Sequence, residues 1–279
     1  MRAKLVKALD HETRSKTANY LATALAKLIA SQHFNVELGI SMNMDRWPGA
    51  DYWLEAADKS LTLDAILGRS DVCVVGIDGG GLDDLFGLAV LGRDRDTRDW
   101  LLWTKAWAHD DVLQRRKDIA PTLRDFEDDG DLVISEDPAQ PIRDAADIVE
   151  KVKLSGLLPE KAGVGLDPYG VGALVDELAE REIQGEVLAA VRQGSALSPA
   201  TWGTEIKLKN KTMRHSGSKL MNWCVGNAKT EVRGGAVLIT KQSSGRAKID
   251  PLVAAFNAVM LMSRNPEAKR EASYQMMFV

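Results

Sequence analysis

Val72-Cys73-Val74-Val75-Gly76-Ile77-Asp78-Gly79-Gly80-Gly81 is a short apolar, β-branched run that ends in a carboxylate and three glycines. Such a run, bounded by glycine, reads as a buried strand. Asp78 then stands where strand meets turn. A carboxylate there is costly unless a cation pairs with it, and the glycines let backbone or ligand approach closely. Working outward, residues 86–92 and 100–107 read as two further strands, so the regular part of the chain opens as a meander.

The same device recurs downstream. Val164-Gly165-Leu166-Asp167-Pro168 again closes an apolar run on an aspartate, and Lys248-Ile249-Asp250-Pro251 sets one at the start of a long apolar helix. Proline in a first helical turn supports that reading. Any one of these aspartates is explained by turn forming or by the helix macrodipole. Together they suggest more. Three converging carboxylates repel, and a hard divalent cation relieves the repulsion because it prefers oxygen ligands. Asp83 and Asp84, in the turn after the first strand, read as solvated turn residues, with one of them as a fourth ligand the alternative.

The rest of the chain supplies a frame. Residues 110–126 and 144–158 pattern as helices, 132–135 and 162–166 as strands, 171–181 as a helix and 187–191 as a strand. Residues 199–213 and 219–229 read as helices, 232–241 as a hairpin around Gly234-Gly235, and 251–263 as a buried helix. Strands first, then strands alternating with helices, give an α/β fold, a mixed sheet flanked by helices. Ahead of it, residues 10–33 read as an amphipathic helix with Leu21, Leu25, Leu28 and Ile29 on one face. The irregular stretch that follows, with Trp47 and Trp53, reads as an extension that packs through its aromatics. The domain expectation is therefore an extension over 1–69 and a catalytic domain over 70–279.

Composition narrows the classes. The 279 residues carry a net charge of −4, which neither supports nor excludes nucleic-acid binding, because local patches decide that. One patch stands out: Lys207, Lys209, Lys211, Arg214 and Lys219. A solvated helix face is the ordinary reading of such a run. No apolar run is long enough to span a bilayer and no signal peptide is legible, so the expected location is the cytoplasm, with no membrane partner. Cys73 and Cys224 read as two buried thiols, and no zinc-ligand spacing occurs. No phosphate loop of the form G-x-x-x-x-G-K-[ST] is present.

Three segments, Ile77-Asp78-Gly79, Gly165-Leu166-Asp167-Pro168-Tyr169-Gly170 and Lys248-Ile249-Asp250-Pro251-Leu252-Val253-Ala254-Ala255-Phe256-Asn257-Ala258, resemble the nuclease domain of tailed-phage terminase large subunits. His215-Ser216-Gly217, followed by Trp223 and Gly226-Asn227, is similar to a segment ahead of the last aspartate in that family. The resemblance covers roughly residues 70–264. It implies an RNase H-like fold and a two-metal DNA endonuclease that uses Mg²⁺ or Mn²⁺ and cuts concatemeric double-stranded DNA. It further implies Asp78, Asp167 and Asp250 as metal ligands, with His215 and Lys241 near the DNA or the site; beside them, the basic residues Lys207, Lys209, Lys211 and Arg214 read as a surface for DNA phosphates. The implied partners are a portal protein, a small terminase subunit and an ATPase motor, whose tail residues 1–69 then represent; the host-cell cytoplasm is the implied setting. A resolvase or transposase nuclease of the same fold is the nearest alternative. Beyond it stand an actin-like ATPase, disfavoured for want of two similar halves, and a non-catalytic DNA-binding or assembly module.

Overall fold

A computed structural model describes residues 46–81, 83–241 and 248–268. The helix expected over 10–33 lies outside the described residues. In chain order the elements are α1 (Ala50–Trp53), a 3₁₀ turn (Leu54–Ala56), α2 (Leu63–Arg69), β1 (Ser70–Gly79), β2 (Leu85–Asp94) and β3 (Trp100–His109). There follow α3 (Asp111–Arg115), α4 (Ala120–Asp128), β4 (Leu132–Ser135), α5 (Gln140–Leu154), β5 (Val164–Leu166) and α6 (Gly172–Glu180). The last are β6 (Leu188–Ala190), α7 (Ser198–Lys209), β7 (Met213–His215), α8 (Lys219–Asn227), β8 (Ala228–Arg233), β9 (Ala236–Lys241) and α9 (Asp250–Met262).

Seven strands form one mixed sheet in the order β4-β3-β2-β1-β5-β6, with β7 also on β3. The meander β1–β3 is antiparallel, as its pattern predicts, and β5 joins β1 in parallel. The outer edge of β3 is shared: β7 pairs with Trp100–Leu102 and β4 with Ala106–His109. Alternation along β1 sends Val72 and Val74 to one face and Cys73, Val75 and Ile77 to the other, and each face has its own core.

Helix α9 fills the first of these cores. It is apolar on nearly all sides and buried almost throughout, as expected of a helix enclosed by its neighbours. It presses on the sheet because two strand positions carry no side chain. A Cβ at Gly76 would stand 2.1 Å from the Ala254 carbonyl oxygen, and one at Gly87 2.6 Å from the Pro251 Cα. The segment ahead of β1 packs into the same core: Trp47 meets Phe256 of α9 edge-on at 5.3 Å, and Trp53 is fully buried. Both cysteines are buried and free. Among the described residues no helix is long and apolar enough to cross a membrane.

Two helical expectations differ from the structure. The stretch 110–126 is split into α3 and α4, because Pro121 cannot donate inside a helix and instead sits in the first turn of a new one. The stretch 199–213 ends as helix at Lys209; Lys211 takes a left-handed φ of 60° and Met213–His215 become β7. That strand exists through its pairing with β3 and the burial of Met213, which local pattern does not register.

Candidate metal centre

The register of β1 and β5 brings two of the aspartates together. Ile77 stands opposite Leu166, so Asp78 and Asp167 leave adjacent strand ends, whose backbones lie about 5 Å apart. Asp78 continues the Val72–Val74–Gly76 alternation and so faces α9. The third aspartate, Asp250, is the first residue of that helix. A Cβ added at Gly79, where φ is +89°, would stand 3.0 Å from the Asp250 Cβ and 2.2 Å from the Leu85 carbonyl oxygen. Glycine at 79 is therefore required both for the turn and for the approach of Asp250. A cavity of about 290 Å³ results, with Asp78, Asp167 and Asp250 in its lining beside Phe86 and Tyr169.

The charge state of this cavity follows from its burial. Burial, then the negative charges of Asp250 and Asp167, push the Asp78 carboxyl up to about 8. Burial, then Asp84, raise Asp250 to about 7 against the pull of Lys241. The Oδ2 of Asp250 is buried with no hydrogen-bond partner. Asp78 and Asp250 thus hold protons where a cation would serve. Asp167 is oriented separately: its Oδ1 accepts from the Tyr169 backbone N–H at 3.1 Å.

Asp84 is not the solvated turn residue expected of it. Its carboxylate accepts from Lys248 Nζ at 2.8 Å and from Lys241 Nζ at 3.0 Å. Burial works to raise its pKa, but hydrogen bonds from Asp250, Lys248 and Lys241 outweigh burial and hold it at about 2. Lys248 is itself only 2% exposed, and a buried ammonium requires such a partner. In the sequence Asp84 is legible only as an acid in a turn and the alternative fourth ligand; its pairing with Lys248 is not, since the two are 164 positions apart in the chain.

The residues expected to face DNA are scattered. Lys241, at the end of the β8–β9 hairpin, lies 3.4 Å from Asp250 Oδ1 and belongs to the acid cluster. The window Lys207–Arg214 lies at the other end of the sheet. Lys207 stacks over Trp100 at 4.1 Å, and Trp100 pairs with Arg93, which in turn pairs with Val72. Six residue steps along the strand lead from Val72 to Asp78, about 20 Å. There Lys211 pairs with Glu55, Arg214 donates to the Glu55 carbonyl, and Lys209 is exposed.

His215 requires correction as a residue near DNA. It is 2% exposed and stacks on Trp53 at 4.0 Å. Its Nε2 is 2.7 Å from the Trp53 carbonyl oxygen and its Nδ1 accepts from the Gly217 N–H. Both ring nitrogens are used inside the fold, and burial lowers its pKa to about 4, so the ring is neutral. Its work is to fasten the segment before β1 to β7.

Among the described residues, the set of His, Asp and Glu ligand atoms gathered within 4.8 Å of one another is His109, Asp110 and Asp111. That group spans the end of β3 and the start of α3 and lies outside the cavity lining; the three remote aspartates are held more openly.

Three known proteins resemble the chain over much of its length. It is 23% identical over 217 residues to Protein YmfN of Escherichia coli K12, which covers 74% of this chain and 46% of that protein. The crystal structure of the HK97 bacteriophage large terminase superimposes with a TM-score of 0.56 at 17% identity, over 72% of this chain and 42% of that one. A looser likeness, with a TM-score of 0.46 at 14% identity, is to the large terminase nuclease from thermophilic phage G20c with bound magnesium, over 78% and 98%. The chain therefore spans less than half the length of YmfN and of the HK97 protein. The model of the family described as terminase large subunit, endonuclease domain, matches residues 65–266, most of the chain, and sets the resolvase and transposase alternative aside. With its RNase H-like mixed sheet, this chain belongs to the endonuclease-domain family of terminase large subunits.

Proposed function

We propose that the chain is a divalent-metal-dependent DNA endonuclease of a packaging terminase, hydrolysing phosphodiesters of concatemeric double-stranded DNA. The observation that carries this reading is the single cavity lined by Asp78, Asp167 and Asp250. In it one buried carboxylate oxygen has no partner and two carboxyls hold protons near neutrality. An all-oxygen donor set of this kind suits Mg²⁺ or Mn²⁺.

Asp78, Asp167 and Asp250 are the residues that would hold the ions, two in this reading. Bound there, such ions supply water activation and take up charge on the leaving oxygen. The chain's own part is to fix the acids on rigid strand and helix ends. Asp84, paired with Lys241 and Lys248, adds negative charge beside Asp250. Lys241 is the cation nearest the acids and meets the DNA phosphate beside the cut. Lys207, Lys209, Lys211 and Arg214 are outer phosphate contacts, about 20 Å or six base pairs along a duplex. The division at residue 70, with a motor-derived extension before it, belongs to the same proposal, as do portal, small-subunit and motor partners.

Incubation of supercoiled plasmid with the protein and Mn²⁺ or Mg²⁺ tests the reading. Nicking and linearisation are expected, with cutting abolished in Asp167→Asn and Asp250→Asn while DNA binding persists. Undiminished cutting by either variant overturns the assignment.

A further inference from the structure

Tyr169 is 85% exposed, the largest exposure among the prominent apolar and aromatic side chains of the described surface. Its position is unusual for so open a ring. It lies two residues beyond Asp167 and lines the acid cavity. Its backbone N–H is tied to the Asp167 carboxylate at 3.1 Å. Pro168 fixes the backbone before it and Gly170, at φ +73°, turns the chain after it. The ring stacks on no other aromatic among the described residues, whereas Phe86 across the cavity is braced against Trp107 at 5.9 Å. The turn therefore holds an open π-face at the mouth of a small acidic cavity.

The cavity's size limits what enters. At about 290 Å³ it matches the small end of ligand pockets, about 300–1,000 Å³. It accommodates one strand's phosphate with its flanking sugar rather than a whole duplex. A ring at the rim of such a cavity finds a complementary surface on a base face. In a closed duplex both faces of each base are covered by stacked neighbours. The face becomes available only where a base is unpaired or unstacked.

We propose that Tyr169 contacts the substrate by stacking on a base adjoining the scissile phosphate, and that the site consequently favours DNA that is locally unpaired there. This rests on the nuclease reading above. The hydroxyl is not required, because stacking uses the ring.

The test compares cleavage and binding of a fully paired duplex with those of the same duplex carrying a short unpaired bubble. Cleavage is read in Mn²⁺, and binding in Ca²⁺ by fluorescence anisotropy. Wild-type protein is expected to cut the bubble substrate faster. Tyr169→Ala is expected to bind it about 5- to 150-fold more weakly, the range that loss of one base–aromatic stack produces, and to lose the preference. Tyr169→Phe is expected to keep both. The exposed position means that neither variant should alter the thermal transition, which is measured alongside. A preference retained in Tyr169→Ala overturns the proposal, as does an equal loss in Tyr169→Phe, or a wild type indifferent to the bubble. A wild type that cuts neither substrate overturns the nuclease reading as well, so the two failures are distinguished.

Discussion

Asp78 retains its proton to about pH 8 in the fold, whereas an unfolded chain releases it near pH 4. Between those values the folded protein binds more protons than the unfolded one, so this group makes stability fall as pH rises from about 4 to about 8. Asp250 adds the same sign over about 4 to 7, and Asp84, depressed to about 2, works oppositely below pH 4. Urea denaturation of the metal-free protein at pH 5 to 8 should show declining stability, and Asp78→Asn should flatten that decline. Parallel profiles for the two proteins would count against a protonated Asp78. At this scale the sequence was partly legible. Asp78, Asp167 and Asp250 were each marked by an apolar run or a following proline. Asp84 and Lys248 were not, because their meaning is their mutual contact across 164 positions of chain.

At the scale of elements, the close seating of α9 against β1 and β2 is the feature that carries Asp250 to the strand ends. Gly76→Ala sets a methyl group against helix backbone rather than against a mobile side chain. The helix must shift, and overpacking of this kind costs about 3 kcal/mol or more when backbone has to move. A fall of that size in chemically measured stability is expected, with loss of any metal response. A variant as stable as wild type would mean that α9 is free to slide. The long strands and α9 were legible from run length and composition. The short β7 was not, and neither was the break at Pro121. Three-residue strands carry no period of their own, and β7 depends on an edge that only the folded β3 offers.

Across the whole molecule, the acids, their lysines and the rim aromatics gather at one end of the sheet, while Lys207 and Arg214 sit toward the other. If cations bind the folded acids, they bind little to the unfolded chain and must raise stability. At a hundredfold excess over the dissociation constant the gain is about 2.7 kcal/mol, roughly 5–10 °C in Tm for a chain of this size. Because Asp78 and Asp250 must lose protons first, the Tm increment from Mn²⁺ should be larger at pH 8 than at pH 6. Differential scanning fluorimetry at both pH values measures this; an increment independent of pH would place the ion elsewhere.

By itself, the sequence determined the α/β class, the β1–β3 meander, the buried terminal helix and the three aspartates at element ends, since each is written locally in apolar period, proline and glycine. Only the tertiary structure decided that His215 is an internal fastening neutral at its post, that Asp84 joins the acid group, and that the basic window stands about 20 Å from Asp78. The physical reason is that charge and hydrogen-bonding roles depend on what lies within a few ångströms. That neighbourhood is set by sheet register and by the glycines that admit α9, and neither distance nor burial is written in the order of residues.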